Sequence, residues 1–187
     1  MAENLKVTYY RNGDPIPEVT SNSQWEDLSA GAYCNYNNDA NNATTYGRLY
    51  NWYAIDDNRN IAPEGWHVPS DDEWKEIELY LCINESEIDN SFDIRGTNEG
   101  SKLKEAGIEH WNKPGESAAN ETGFCALPGG YRGSNGDFFS IGAYTKFWTS
   151  SEYNNKDAWF RSLNDEQGIM RFNCNKKDGS YVRLVKD

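Results

Sequence analysis

The chain has 187 residues, 37% of them hydrophobic and 14% aromatic, with a formal net charge of -12. That length suits one domain with room for a core, and seven Trp and twelve Tyr supply large apolar surfaces where aliphatic residues are scarce. The acidic balance argues against nucleic acid as a partner, because phosphates repel such a surface, and with no run of 18 apolar residues no membrane insertion is expected.

No signal peptide precedes the strand-like opening MAENLKVTYY, which leaves an export signal upstream of it open. Residues 35–45, NYNNDANNATT, read as a polar loop, since Asn favours turns and left-handed backbone. In TTYGRLYNWYAIDD, Tyr46, Leu49, Tyr50 and Tyr53 fall at helical spacing, which predicts a helix over 45–56 capped by Thr44 or Thr45. A second helix is predicted over 70–81. Ser70 and Glu73 form a capping box, Asp71 and Asp72 sit where the helix dipole favours anions, and Trp74, Ile77 and Leu81 make the buried face. A short third helix over 99–107 is expected to stop at Gly107. Strands are predicted at 146–152, 158–163, 169–174 and 180–185, with NDEQG (164–168) as a hairpin loop. Helices come mostly first and strands mostly last, so the single domain, residues 1–187, reads as α+β with antiparallel sheet.

Cys34, Cys82, Cys125 and Cys174 lack CxxC spacing, which excludes the usual zinc and thioredoxin motifs and leaves two disulfides or four thiols open. His67 and His110 occur without HExxH, GxSxG or a P-loop, so no catalytic residue, metal or cofactor is expected. Glu152, Asn154, Asn155 and Asp157 are hard oxygen donors of the kind calcium uses, and read equally as a solvated acidic loop.

The segments TYGRLYNWYAI, APEGWHVPSDDEW, SKLKEAG, ETGFCALPGGYRG and FWTSSE occur in this order. Together they resemble the Fibrobacter succinogenes major paralogous domain over essentially the whole chain. The resemblance implies a C-type lectin-like fold: α+β, two main helices, small antiparallel sheets. It also implies that Trp52, Trp66, Trp74 and Trp148 are buried scaffold. Similar sequences occur in variable proteins of diversity-generating retroelements, where a reverse transcriptase randomises adenines in a C-terminal repeat. AWFRSL, Gly168, NCNKKDGS and YVRLV resemble the fixed parts of that repeat, and Leu184 stands where the ordinary family member often has Cys. The resemblance further implies a display protein on a cell or virion surface, binding a macromolecular ligand, a protein, through a variable region at about 150–181. The alternatives are an adhesion domain with a fixed ligand and an enzyme like the formylglycine-generating enzymes, which share the broad fold and use a cysteine pair; Cys125 and Cys174 are the only late cysteines.

The tail fits the variable reading. Phe160, Ser162, Asn164, Ile169, Arg171, Asn173, Asn175, Asp178, Gly179 and Ser180 are all types reachable by changing the adenines of an Asn codon, whereas Trp159, Glu166, Gln167, Met170, Lys176 and Lys177 between them are not. Phe160, Ser162 and Asn164 alternate along one strand and Ile169, Arg171, Asn173 and Asn175 along the next, so each set lies on one face. Taken as a single binding face, they are edged by Tyr153, Asn154 and Asn155 and by Asp178, Gly179 and Ser180. Trp159, Leu163, Met170, Phe172 and Cys174 would then be the core side. Arg171 and Phe160 are the strongest expected contacts, and the opposite register would place Phe160 in the core.

Overall fold

The structure is a computed structural model that describes residues 3–113 and 118–187. The first half carries α1 (Asn22–Glu26), β1 (Tyr33–Cys34), α2 (Ala40–Tyr46), β2 (Leu49–Tyr50), α3 (Trp52–Ile55), β3 (Trp66–His67), α4 (Asp71–Tyr80), β4 (Ile94–Arg95) and α5 (Glu99–Leu103). The second half is β5 (Tyr131–Arg132), β6 (Phe138–Phe139), β7 (Thr145–Glu152), β8 (Asp157–Leu163), β9 (Ile169–Asn175) and β10 (Val185–Lys186). The result is a mixed fold with few helices and small antiparallel sheets, of which the largest has the order β4-β9-β8-β7. No helix among the described residues is long and apolar enough to cross a membrane.

The helix at α4 forms as its sequence dictates. The Ser70 side chain accepts from the Glu73 amide, and Glu73 reaches back to the Ser70 amide at 2.8 Å. Trp74 and Leu81 are buried and Ile77 half-buried. Of the helix expected over 45–56 only α3 forms, after the strand β2, and the stretch 35–45 expected as a polar loop carries most of α2. Gly47, at φ 86°, ends α2 after Tyr46, and Leu49 and Tyr50 leave helical geometry to pair with Cys34 and Tyr33. Asp39 and Asn51, not Thr44 or Thr45, cap these helices. The third helix stops at Leu103 because Lys104 pairs with Ala126, so Gly107 lies beyond it. Of the four tryptophans expected in the scaffold, Trp52, Trp74 and Trp148 are buried and Trp66 is half-buried.

The main sheet lies between two cores. Trp148, Ala158 and Phe160 point into one with Tyr50, Trp52 and Val182. Phe147, Leu163 and Ile169 point into the other with Trp25, Trp74 and Leu103. The ends of the chain meet: the Leu5 amide donates to the Val182 carbonyl at 2.9 Å, and β10 pairs with β3. All four cysteines are free thiols.

Candidate ligand-binding face

The loop between β8 and β9 has an odd number of residues, so residues of like parity stand opposite each other. Phe160 faces Phe172, Ser162 faces Met170, Arg161 faces Arg171 and Trp159 faces Asn173. On β7, Lys146 faces Ser162 and Trp148 faces Phe160. The even-numbered side chains of all these strands therefore share one face, and the odd-numbered ones the other. This corrects the expected single face, which joined even positions of β8 to odd positions of β9.

The odd face is covered at Arg161, Leu163, Ile169 and Arg171 and held there by buried charge from α4, while Trp159, Asn173 and Asn175 at its other end are half-buried. Arg171 donates to both carboxylate oxygens of Asp71, at 3.0 and 2.7 Å, and to the Asp89 carbonyl. Arg161 donates to Asp71 and to Glu78, each at 2.6 Å, and Arg95 donates to both oxygens of Glu78. Burial by itself would raise the Asp71 pKa, but hydrogen bonds from Arg171 and the charge and hydrogen bond of Arg161 hold it down at about 2. Arg171 is thus a buried anchor and not a free contact residue, and its guanidinium stacks on Trp159 with Cζ 3.9 Å from the ring centre. Ile169, 1% exposed, belongs to the core under α4.

Other expected positions are also occupied structurally. Phe160 and Ser162 are buried on the even face. Asp178 pairs with Lys146 at 2.7 Å. Gly179 exchanges backbone hydrogen bonds with Arg132, and a Cβ there would meet Arg132 Cβ at 3.0 Å. Ser180 pairs through its backbone with Tyr50 and its side chain is buried. Asn173 and Asn175 are half-buried on the odd face, and Asn164 is half-buried beside Met170, its Nδ2 3.6 Å from the sulfur. Tyr153, Asn154 and Asn155 are exposed. The Asn154 side chain closes its own turn by accepting from the Lys156 and Asp157 amides and donating to the Asp157 carboxylate, and Glu152 is paired with Lys176, so three of the four oxygen donors considered for calcium already serve local structure.

The even face differs in kind. Its outer part carries two groups of rings, partly exposed at their ends and bridged in the middle by the buried Phe160 and Lys146. Phe92, 54% exposed, meets Phe172 edge-on at 5.4 Å. Phe172 stacks on Phe160 at 6.2 Å. The Lys146 ammonium lies 4.8 Å from the Phe160 ring centre and 4.3 Å from that of Tyr131. Tyr131 stacks on Phe139, 39% exposed, at 5.3 Å and meets Tyr144 edge-on at 5.6 Å. Met170 and Cys174 are half-buried on the same side. Burial opposes the Lys146 charge, but the Asp178 carboxylate 2.7 Å away supports it, and its pKa is raised. Burial pushes the Cys174 thiol up, so at neutral pH an ammonium sits beside a thiol.

Met170, Phe172 and Cys174, expected in the core, therefore border the open surface, and Phe92, Tyr131, Phe139 and Tyr144 join them from distant segments. One signal for the register is present in the sequence: FRS (160–162) and MRF (170–172) are mirror images about the loop in their Phe and Arg, so that Arg pairs with Arg and Phe with Phe.

No curated protein and no solved structure matches the chain. The model of the Fibrobacter succinogenes major domain matches residues 1–186, and the chain belongs to that family.

Proposed function

We propose that this domain is a C-type lectin-like display module that binds a macromolecular ligand, a protein, through the even face of β8 and β9, at a cell or virion surface. The observation that carries the reading is the pair of partly exposed ring groups, Phe92 with Phe172 and Tyr131 with Phe139, bridged by the buried Phe160 and Lys146. Aromatic side chains dominate the energetics of protein interfaces, and their ordering costs little because few torsions are frozen. A broad shelf of partly covered rings suits another macromolecule better than a small solute, which is usually enclosed. The buried ionic base on the opposite face supplies the rigid support that such a surface needs.

Diversification by a retroelement is proposed as the origin of the mixed chemistry. On the even face, Phe160, Ser162, Asn164, Phe172 and Cys174 are types reachable from Asn codons by changing adenines, and Met170 is not. The genomic test is a near-identical repeat of the DNA encoding residues 150–181, differing at adenines and lying beside a reverse transcriptase gene. A repeat whose differences fall in the codons of Arg161, Arg171 or Ile169 would contradict the assignment of faces.

The protein-level test is a library randomised at Phe92, Phe139, Asn164, Met170 and Phe172. Most members should keep a cooperative thermal transition, and selection on immobilised proteins should return members with different ligands. Loss of the transition in most members, or binding that is indifferent to these positions, would sink the reading.

A further inference from the structure

We propose that Glu105, Glu109 and His110 form a binding site for a divalent transition-metal cation. The His110 imidazole and the two carboxylates each offer a donor atom, and these atoms lie within 4.8 Å of one another. Nitrogen and oxygen donors in this ratio suit zinc and its neighbours in the first transition row.

The segment that carries the donors is closed on itself. The Glu105 amide and the Trp111 indole Nε1 both donate to one acceptor, the Ala126 carbonyl, at 3.1 and 3.0 Å. Trp111 is 2% exposed, so the loop between these two fastenings is short and its ends are fixed. That closure sets His110 against Glu105: Nδ1 lies 2.8 and 3.0 Å from the two Glu105 oxygens. Tyr46 meets the imidazole edge-on, with ring centres 5.7 Å apart, and limits its rotation. Two carboxylates held this close repel each other, and a cation taking up Nδ1 and one oxygen from each would relieve that repulsion. Glu105 and His110 are half-buried while Glu109 is exposed, which gives an ion a way in. Glu105 also lines a cavity of about 250 Å³ with Tyr46, Cys125 and Leu127. Three protein donors leave positions on an ion for water or an exchangeable ligand.

The spacing EAGIEH resembles no common metal motif, and only the loop closure brings its first and last residues together. The site lies apart from the even face of β8 and β9, so neither proposal depends on the other.

The experiment is a titration of the metal-free protein with Co²⁺, followed by visible absorption, and competition by Zn²⁺. One equivalent of Co²⁺ should produce d–d bands that Zn²⁺ abolishes. His110→Gln and Glu109→Gln should each weaken binding by at least about tenfold, the least that disturbing even a residue behind a ligand usually costs. The control Glu64→Gln/Glu85→Gln removes negative charge at exposed positions on other segments and should bind as the parent does. Glu109 is exposed, so its variant should keep the metal-free melting temperature and report binding alone. Absence of bands, or equal binding by the parent and Glu109→Gln, would overturn the site; weakening by the control as well would overturn it in favour of diffuse attraction to an acidic surface.

Discussion

Arg161 and Arg171 stand directly opposite each other on β8 and β9 and donate to the same carboxylate, that of Asp71. Two like charges side by side are tolerated because Asp71 bridges Arg161 and Arg171, Glu78 bridges Arg161 and Arg95, and every oxygen of both carboxylates accepts at least one hydrogen bond. The pairing pins helix α4 to the sheet and fixes which face of the hairpin is left open.

Arg171→Ala should lower stability by about 3–5 kcal/mol, the usual result of breaking a buried ion pair on one side. Met170→Asn, on the neighbouring residue but the opposite face, should cost about 1 kcal/mol or less, nearer to a surface change. Urea unfolding of the two variants checks the contrast, and similar losses would mean that both faces are interior.

Stability should fall in acid through Asp71. Its folded pKa of about 2 lies below the ordinary value of 3.8. A carboxylate depressed in this way contributes stability that is complete above the unfolded pKa and lost as pH falls through the folded one. The window is therefore about pH 4 down to 2, and the contribution is roughly 2 kcal/mol. Asp71→Asn should be less stable at neutral pH and show a shallower loss over that window.

His67 should act in the other direction. Its Nδ1 lies 2.6 Å from Asp187 and its Nε2 2.6 Å from Glu73, and the hydrogen bonds with these two carboxylates, Asp187 first, raise its pKa above 6.5. A base with a raised folded pKa gives stability that is fully present below the unfolded value and lost as pH rises through the folded one. The difference in melting temperature between the parent and His67→Gln should shrink as pH rises above 6.5 and through the raised folded value. A constant difference would mean that the imidazole stays neutral between its two partners.

Trp74, 1% exposed, meets Phe124 and Phe147 at 5.8 and 6.0 Å. Trp74→Ala should cost about 3–5 kcal/mol, the range for a large core aromatic. Denaturation that matches the parent would show that α4 does not carry this core.

The four thiols should react in order of exposure. Cys82 is exposed and Cys34 fully buried, with burial pushing the Cys34 pKa up to about 12. A thiol reagent should label Cys82 first and reach Cys34 only on unfolding; prompt labelling of Cys34 would contradict its place in the core with Trp25 and Leu49.

Helix α4, the three long strands and the loop at 164–168 were legible in the sequence, because each rests on local rules. A capping box satisfies its own amides, alternation reports a strand, and a cluster of polar and Gly residues reports a turn. The family membership rested on contiguous motifs and was equally legible. The helix expected over 45–56 was not, since the spacing of Tyr46, Leu49 and Tyr50 matches a helical stripe while the partners that draw Leu49 and Tyr50 into a strand lie at Cys34, Tyr33 and Ser180. The open face was decided only in three dimensions. Alternation shows that a strand has two sides, but which side is buried depends on what docks against it. Here Asp71, 100 residues before Arg171, and Glu78, 83 residues before Arg161, take the arginines inward and leave Phe172 and Met170 at the surface.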